Sequence, residues 1–176
     1  MTMVKQAQLV KRAQNWTLYA TKRHEIYPLL WDKLYRAYSD AIMLIIDDFP
    51  NLQPLDPSAV VNLLRRFGIE DQIISDWQND WYHKGAHTSN KEARQLLRNK
   101  KTAELTAHYI DAKNFFLLSQ LYLQGDLHEK VRTTLDKLND IGVQQQGRPI
   151  SAPTESELTR DMDTIKSKMI EALTKE

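Results

Sequence analysis

Apolar side chains recur at alternating steps of four and three along the first part of the chain: Leu9, Ala13, Trp16, Ala20, Arg23, Tyr27, Leu30, Leu34, Ala37, Ala41 and Leu44. That is the spacing of a helix packing along a seam, and Arg23 is the only charged member. Pro28 has no amide hydrogen to give to the carbonyl of His24 and its ring crowds that group, so a kink is expected there. Beyond it Ile26, Trp31, Tyr35, Tyr38, Ile42, Ile45, Ile46 and Phe49 widen the stripe, leaving a polar strip through Asp32, Arg36, Ser39 and Asp47. A helix so apolar around its circumference must meet neighbours on more than one side.

The remaining pattern is also helical. Asp56-Pro57-Ser58 supplies an N-cap and a proline for the first helical position, ahead of Val60, Val61, Leu64 and Phe67, and Gly68 ends the run. A second short helix carries Ile73, Ile74, Trp77 and Trp81 inward, and residues 82–88 read as a loop. Ser89 with Glu92 has the spacing of a capping box opening a long helix from Asn90 to Gln124, with Ile110, Asn114, Leu117 and Leu121 on its inward stripe. Asp126 with Glu129 suggests a similar start for a helix bearing Leu127, Val131, Leu135, Leu138 and Ile141, which Gly142 is expected to stop. Residues 142–153 read as a linker, and Thr154 with Glu157 as a third capping box. The last helix has the stripe Leu158, Met162, Ile165, Met169, Ala172 and Leu173. No segment alternates with period two, so no sheet is expected.

The predicted fold is all-α: an elongated helical bundle built on two long helices, one kinked at Pro28, with shorter crossing helices and a tethered C-terminal helix. Its expected organisation is a bundle domain over 1–141, a linker over 142–153 and an amphipathic helix over 154–176. Composition agrees, since 41% apolar and 27% charged residues describe a folded chain rather than a disordered one. The absence of cysteine removes disulfides, thiolate metal sites and thiol catalysis. The first residues have no apolar core of a signal peptide, and the longest apolar run, Ala41 to Ile46, is far too short to cross a bilayer, so the expectation is a cytoplasmic protein with no membrane contact. A net charge of +1 points to no particular class of partner.

Two clusters invite chemistry. Asp76, Asp80 and His83 recur at i, i+4 and i+7, so on a helix they share a face where two carboxylates and an imidazole, with His87 as a fourth ligand, would suit a divalent metal. The same string also describes the solvent face of a helix whose Trp77 and Trp81 point inward. Lys91, Arg94, Arg98 and Lys101 form a basic stripe fit for a phosphate backbone or an acidic partner, with Trp77, Trp81 and Tyr82 nearby to stack on bases. Against that, residues 55–82 carry five acidic and two basic side chains and residues 83–125 carry three acidic and seven basic, so the segments can neutralise each other. Trp31, Tyr35, Tyr38, Tyr109, Phe115, Phe116 and Tyr122 would line a cavity or simply fill a core. Asn114 on an apolar stripe requires a buried partner or marks an interface.

Glycine-rich phosphate loops, nucleophile elbows, His-Glu-x-x-His and calcium loops are all missing, and nothing calls for a cofactor. The leading expectation is a non-enzymatic scaffold that self-associates, or binds a helical protein, through Leu9, Trp16 and Arg23 of the first seam and Leu158, Met162, Ile165 and Met169 of the last. The alternatives are a nucleic-acid-binding accessory protein and a metal-dependent helical enzyme.

Overall fold

The computed structural model describes residues 3–147, 151 and 153–174, with side chains described from Thr17 onward. Among the described residues six helices follow one another: α1 (Met3–Ile45), α2 (Pro57–Arg66), α3 (Asp71–Lys84), α4 (Ala86–Ser119), α5 (Gly125–Gln145) and α6 (Glu155–Thr174). A single 3-10 turn, Gln120–Tyr122, ends the α4 rod, and the described residues contain no strand.

Helices α1 and α4, 43 and 34 residues long, run antiparallel as the frame. Asp47, Asp40, Lys33 and Arg23 on α1 and its C-terminal turn meet Arg94, Lys101, Asp111 and Tyr122 in turn, which fixes direction and register. Helix α5 returns alongside α4, and α6 returns against α5 and α1, giving an up-down-up-down bundle. Helices α2 and α3 cross the end where α1 finishes. α1 is unbroken through Pro28. The proline and His24, whose carbonyl loses its amide partner, are both exposed, so the missing hydrogen bond falls where water can replace it.

Two apolar clusters stack along the bundle. One joins Ala37, Ala41 and Leu44 to Val60, Leu64, Trp77, Leu97, Leu105, Leu138, Ile141 and Leu158. The other joins Tyr27, Leu30 and Leu34 to Phe116, Leu127, Val131, Leu135, Met162, Ile165 and Met169. The α1 seam from Tyr27 to Leu44 is therefore buried within its own chain, as its period requires.

Caps succeed or fail for visible reasons. Asp56 accepts from the amide of Ala59 at 2.8 Å ahead of Pro57. At the other end of α2 the amides of Gly68 and Ile69 return to the carbonyls of Arg65 and Leu64, with Gly68 at φ 69°, the left-handed residue this ending needs. The Thr154–Glu157 box forms: the Glu157 carboxylate accepts from the Thr154 amide at 2.8 Å, and the Thr154 hydroxyl accepts from the Glu157 amide at 3.3 Å.

The other two boxes do not form. Gly85, at φ 80°, alone separates α3 from α4, so the expected loop over 82–88 shrinks to one residue and Ser89 lies inside α4, buried. Glu92 turns to Lys84 instead. Likewise α5 starts at Gly125, Asp126 reaches Lys168 on α6, and Glu129 pairs with Arg132. Gly142 does not stop α5, which continues to Gln145; it sits buried inside the helix, facing Leu105 and Thr106 of α4.

Candidate functional site

The four residues suggested as metal ligands are not brought together. Asp76 accepts from Gln72 at 3.0 Å and Asp80 pairs with Lys84 at 2.6 Å, while His83 is exposed near the end of α3. Gly85 breaks the helix before His87, so that imidazole follows the axis of α4 rather than the face of α3. No group of three or more histidine and carboxylate side chains converges for an ion among the described residues. Trp77 and Trp81 do face inward, with ring centroids 5.1 Å apart, and the Trp77 indole donates to the carbonyl of Ser89 at 2.7 Å, stitching α3 to α4.

The basic stripe lies along α4 as its spacing predicts, but most of it is engaged. Arg94 donates to the Asp47 carboxylate at 2.7 Å, and Arg98 bonds the other oxygen of that carboxylate and Gln145. Asp47 is the one non-glycine residue described with positive φ, at 55°. An Asp tolerates that conformation better than most residues, and here two arginines hold it in place. Lys101 reaches Glu104 at 2.6 Å and Asp40 at 3.1 Å, and His108 Nδ1 lies 2.6 Å from the other Asp40 oxygen. Burial works against the Lys101 ammonium, but its hydrogen bonds to Glu104 and Asp40 outweigh that cost and hold its pKa above the usual 10.5. The acids are supplied by α1 and by α4 itself rather than by the acidic segment over 55–82. Lys91 alone of the four has no hydrogen bond or ion pair among the described residues.

The proposed interface residues divide. The side chains of Leu9 and Trp16 lie outside the described residues. Arg23 is buried, not free for a partner: it donates to the Tyr122 carbonyl at 3.3 Å, and the Tyr27 hydroxyl donates to the same oxygen at 3.1 Å. With the Gln124 amide oxygen turned toward it, the guanidinium also donates at 2.9 and 3.1 Å. Arg23 thus satisfies carbonyls left over where α4 ends. Leu158, Met162, Ile165 and Met169 are buried against α1 and α5, so the terminal helix docks on its own chain.

Asp161 fixes that docking. It is 2% exposed and accepts from Lys130 at 2.5 Å and Lys137 at 2.7 Å. Burial alone would raise the Asp161 pKa, but the two lysines outweigh it and hold the carboxyl below its usual 3.8.

The stripe Ile110, Asn114, Leu117 and Leu121 turns outward, contrary to expectation. The inward face of α4 is Leu105, Ala112, Phe116 and Ser119, on nearly the opposite side of the helix. Asn114 is exposed, and Leu118 and Leu121 are 82% and 80% exposed. Leu18 and Tyr19 are exposed on α1, and the Tyr19 ring lies 5.6 Å from that of Tyr122, at the same end of the bundle. The aromatic residues are divided among different surroundings: Tyr35 is exposed, Phe116 is buried, and Trp31 flanks a groove beside α6.

No protein-family model, no curated protein and no solved structure matches the chain. No described helix is long and apolar enough to cross a membrane.

Proposed function

We propose that the chain is a non-catalytic interaction protein that works as a homo-oligomer, joined through the outward ridge of α4. The observation that carries this reading is the ridge itself. Ile110, Asn114, Leu117 and Leu121 recur at steps of four, three and four, the spacing of a coiled-coil seam, and all four are exposed beside Leu118. A contiguous row of leucines in water is the usual mark of a surface that a partner covers. An asparagine within such a seam finds its complement in the asparagine of an identical chain, which favours a second copy over an unrelated helix.

Light scattering over a range of concentrations tests the reading. A dimer or larger assembly is expected for the native chain, and a monomer of unchanged helicity for Leu117→Glu combined with Leu121→Glu. A native chain that stays monomeric at the highest concentration reached would overturn it. Nucleic-acid binding draws no support from the geometry, because carboxylates already hold Arg94, Arg98 and Lys101.

A further inference from the structure

The outward seam of α4 is uneven along its length. Ala103 and Ala107 precede Ile110 at steps of four and three, continuing the seam toward the start of the helix, and both are exposed. This half is recessed. Beside it a cavity of about 180 Å³ opens between α4 and α5, lined by Thr106 and Ile110 on one side and by Asn139, Gly142 and Val143 on the other. A cavity of about 150 Å³ accepts a benzene ring, so this one has room for a leucine side chain. The other half protrudes: Leu117 is half-exposed, and Leu118 and Leu121 stand almost wholly in water.

One surface therefore carries both a hollow and a ridge that fits it. A two-fold axis crossing α4 at Ala112 brings them together. Ala103 then faces Leu121 of the second copy, Ala107 faces its Leu117 and Ile110 faces its Asn114, because each pair is evenly spaced about position 112. Parallel helices would set leucine on leucine at one end and alanine on alanine at the other, so the wide end would hold the narrow end open. The charged side chains nearest the axis are held on their own chain. Lys113 donates to the Tyr109 hydroxyl at 3.0 Å, and Asp111 pairs with Lys33 at 2.6 Å.

Charge favours the same orientation. Residues 3–16 carry Lys5, Lys11 and Arg12 and no acid, whereas residues 70–84 carry Glu70, Asp71, Asp76 and Asp80 against Lys84 alone. Beyond Arg23, which meets Tyr122 where α4 ends, α1 continues back to Met3, while α3 lies at the opposite end, where α4 begins. Of the two orientations, the antiparallel one brings the basic end of one copy to the acidic helix of the other.

We propose that two copies of this chain pair antiparallel across the α4 seam, each placing its Leu117 and Leu121 over Ala107, Ala103 and the α4–α5 cavity of the other. This orientation rests on the homo-oligomer reading above and specifies its register.

Cysteine cross-linking tests it, because the chain has no cysteine of its own. Full-length Ala107→Cys and Leu117→Cys chains are checked for self-association by light scattering while reduced, then oxidised separately and as a mixture. A disulfide needs Cα atoms within about 7 Å. Antiparallel pairing sets position 107 beside position 117 of the second copy, and leaves each position about 15 Å along the axis from its own counterpart. The mixture should give a disulfide-linked heterodimer in at least about tenfold excess over either homodimer, and each variant alone should stay uncross-linked. Ala103→Cys mixed with Leu121→Cys supplies a second pair should Leu117→Cys weaken association. Cross-linking of a variant with itself, or a chain that dimerises yet gives no disulfide from either mixture, would overturn the antiparallel register and leave self-association standing. A native chain that stays monomeric overturns the homo-oligomer reading, and this orientation with it.

Discussion

Replacing Asp161 with alanine removes the single acid that two lysines of α5 share, and with it the polar clasp between α5 and α6. Hydrogen bonds to charged groups contribute about 1.5–3 kcal/mol each, so deleting both sets an upper limit near 6 kcal/mol. Lys130 and Lys137 are 29% and 32% exposed, however, and recover water when the carboxylate goes. Leu158, Met162 and Ile165 also continue to hold α6 by burial. The net loss expected is therefore about 2–3 kcal/mol, well above an exposed ion pair and below a fully sealed one. In a chain of this size that lowers the melting temperature by roughly 4–12 °C. Urea denaturation measures the loss, and hydrogen exchange should show residues 155–174 opening first.

The effect has a defined pH dependence. Because the folded-state pKa of Asp161 lies below its usual 3.8, its contribution is complete above that value and is lost as the pH falls through the lowered pKa. Asp161→Asn should thus be less stable than the native chain at neutral pH, with the difference closing only in acid below about pH 4. A difference under about 0.5 kcal/mol at pH 7, the range of ordinary surface substitutions, would refute the assignment of Asp161 as the clasp.

Gly142→Ala should stabilise the chain by about 0.5–1 kcal/mol, since glycine inside a helix is entropically unfavourable. An added Cβ would meet Thr106 Oγ1 at 3.9 Å and Leu105 Cδ2 at 4.0 Å, ordinary contacts; destabilisation in a thermal melt would show that α4 and α5 need the bare backbone there. Asp40→Ala should cost about 1–2 kcal/mol in urea denaturation, less than Asp161→Ala because Glu104 remains to Lys101; an unchanged midpoint would mean that the contacts to Lys101 and His108 contribute nothing.

The metal set takes Asp76, Asp80 and His83 from one helix face and His87 from a loop, but Gln72 and Lys84 engage the two carboxylates and His87 lies within α4. The basic residues of α4 are evident in its sequence, but their partners Asp47 and Asp40 lie 40 residues or more away in the chain. Asn90 carries no local signal, because its bond to the Leu52 carbonyl exists only once the segment over 51–53 folds over α4.

The outward ridge is the plainest case. Ile110, Leu117 and Leu121 form as regular an apolar stripe as Leu105, Ala112 and Phe116, and a helix with two such stripes can bury either. Periodicity alone determined that these segments are helices, that α1 presents a seam from Tyr27 to Leu44, and where Asp56 and Thr154 begin α2 and α6, because backbone sterics and capping act within a few residues. The tertiary structure decided which stripe of α4 faces in, that α6 closes on its own chain, and which charges are spent internally. Those outcomes depend on which surfaces compete for the same neighbour, and that competition is a property of the assembled bundle.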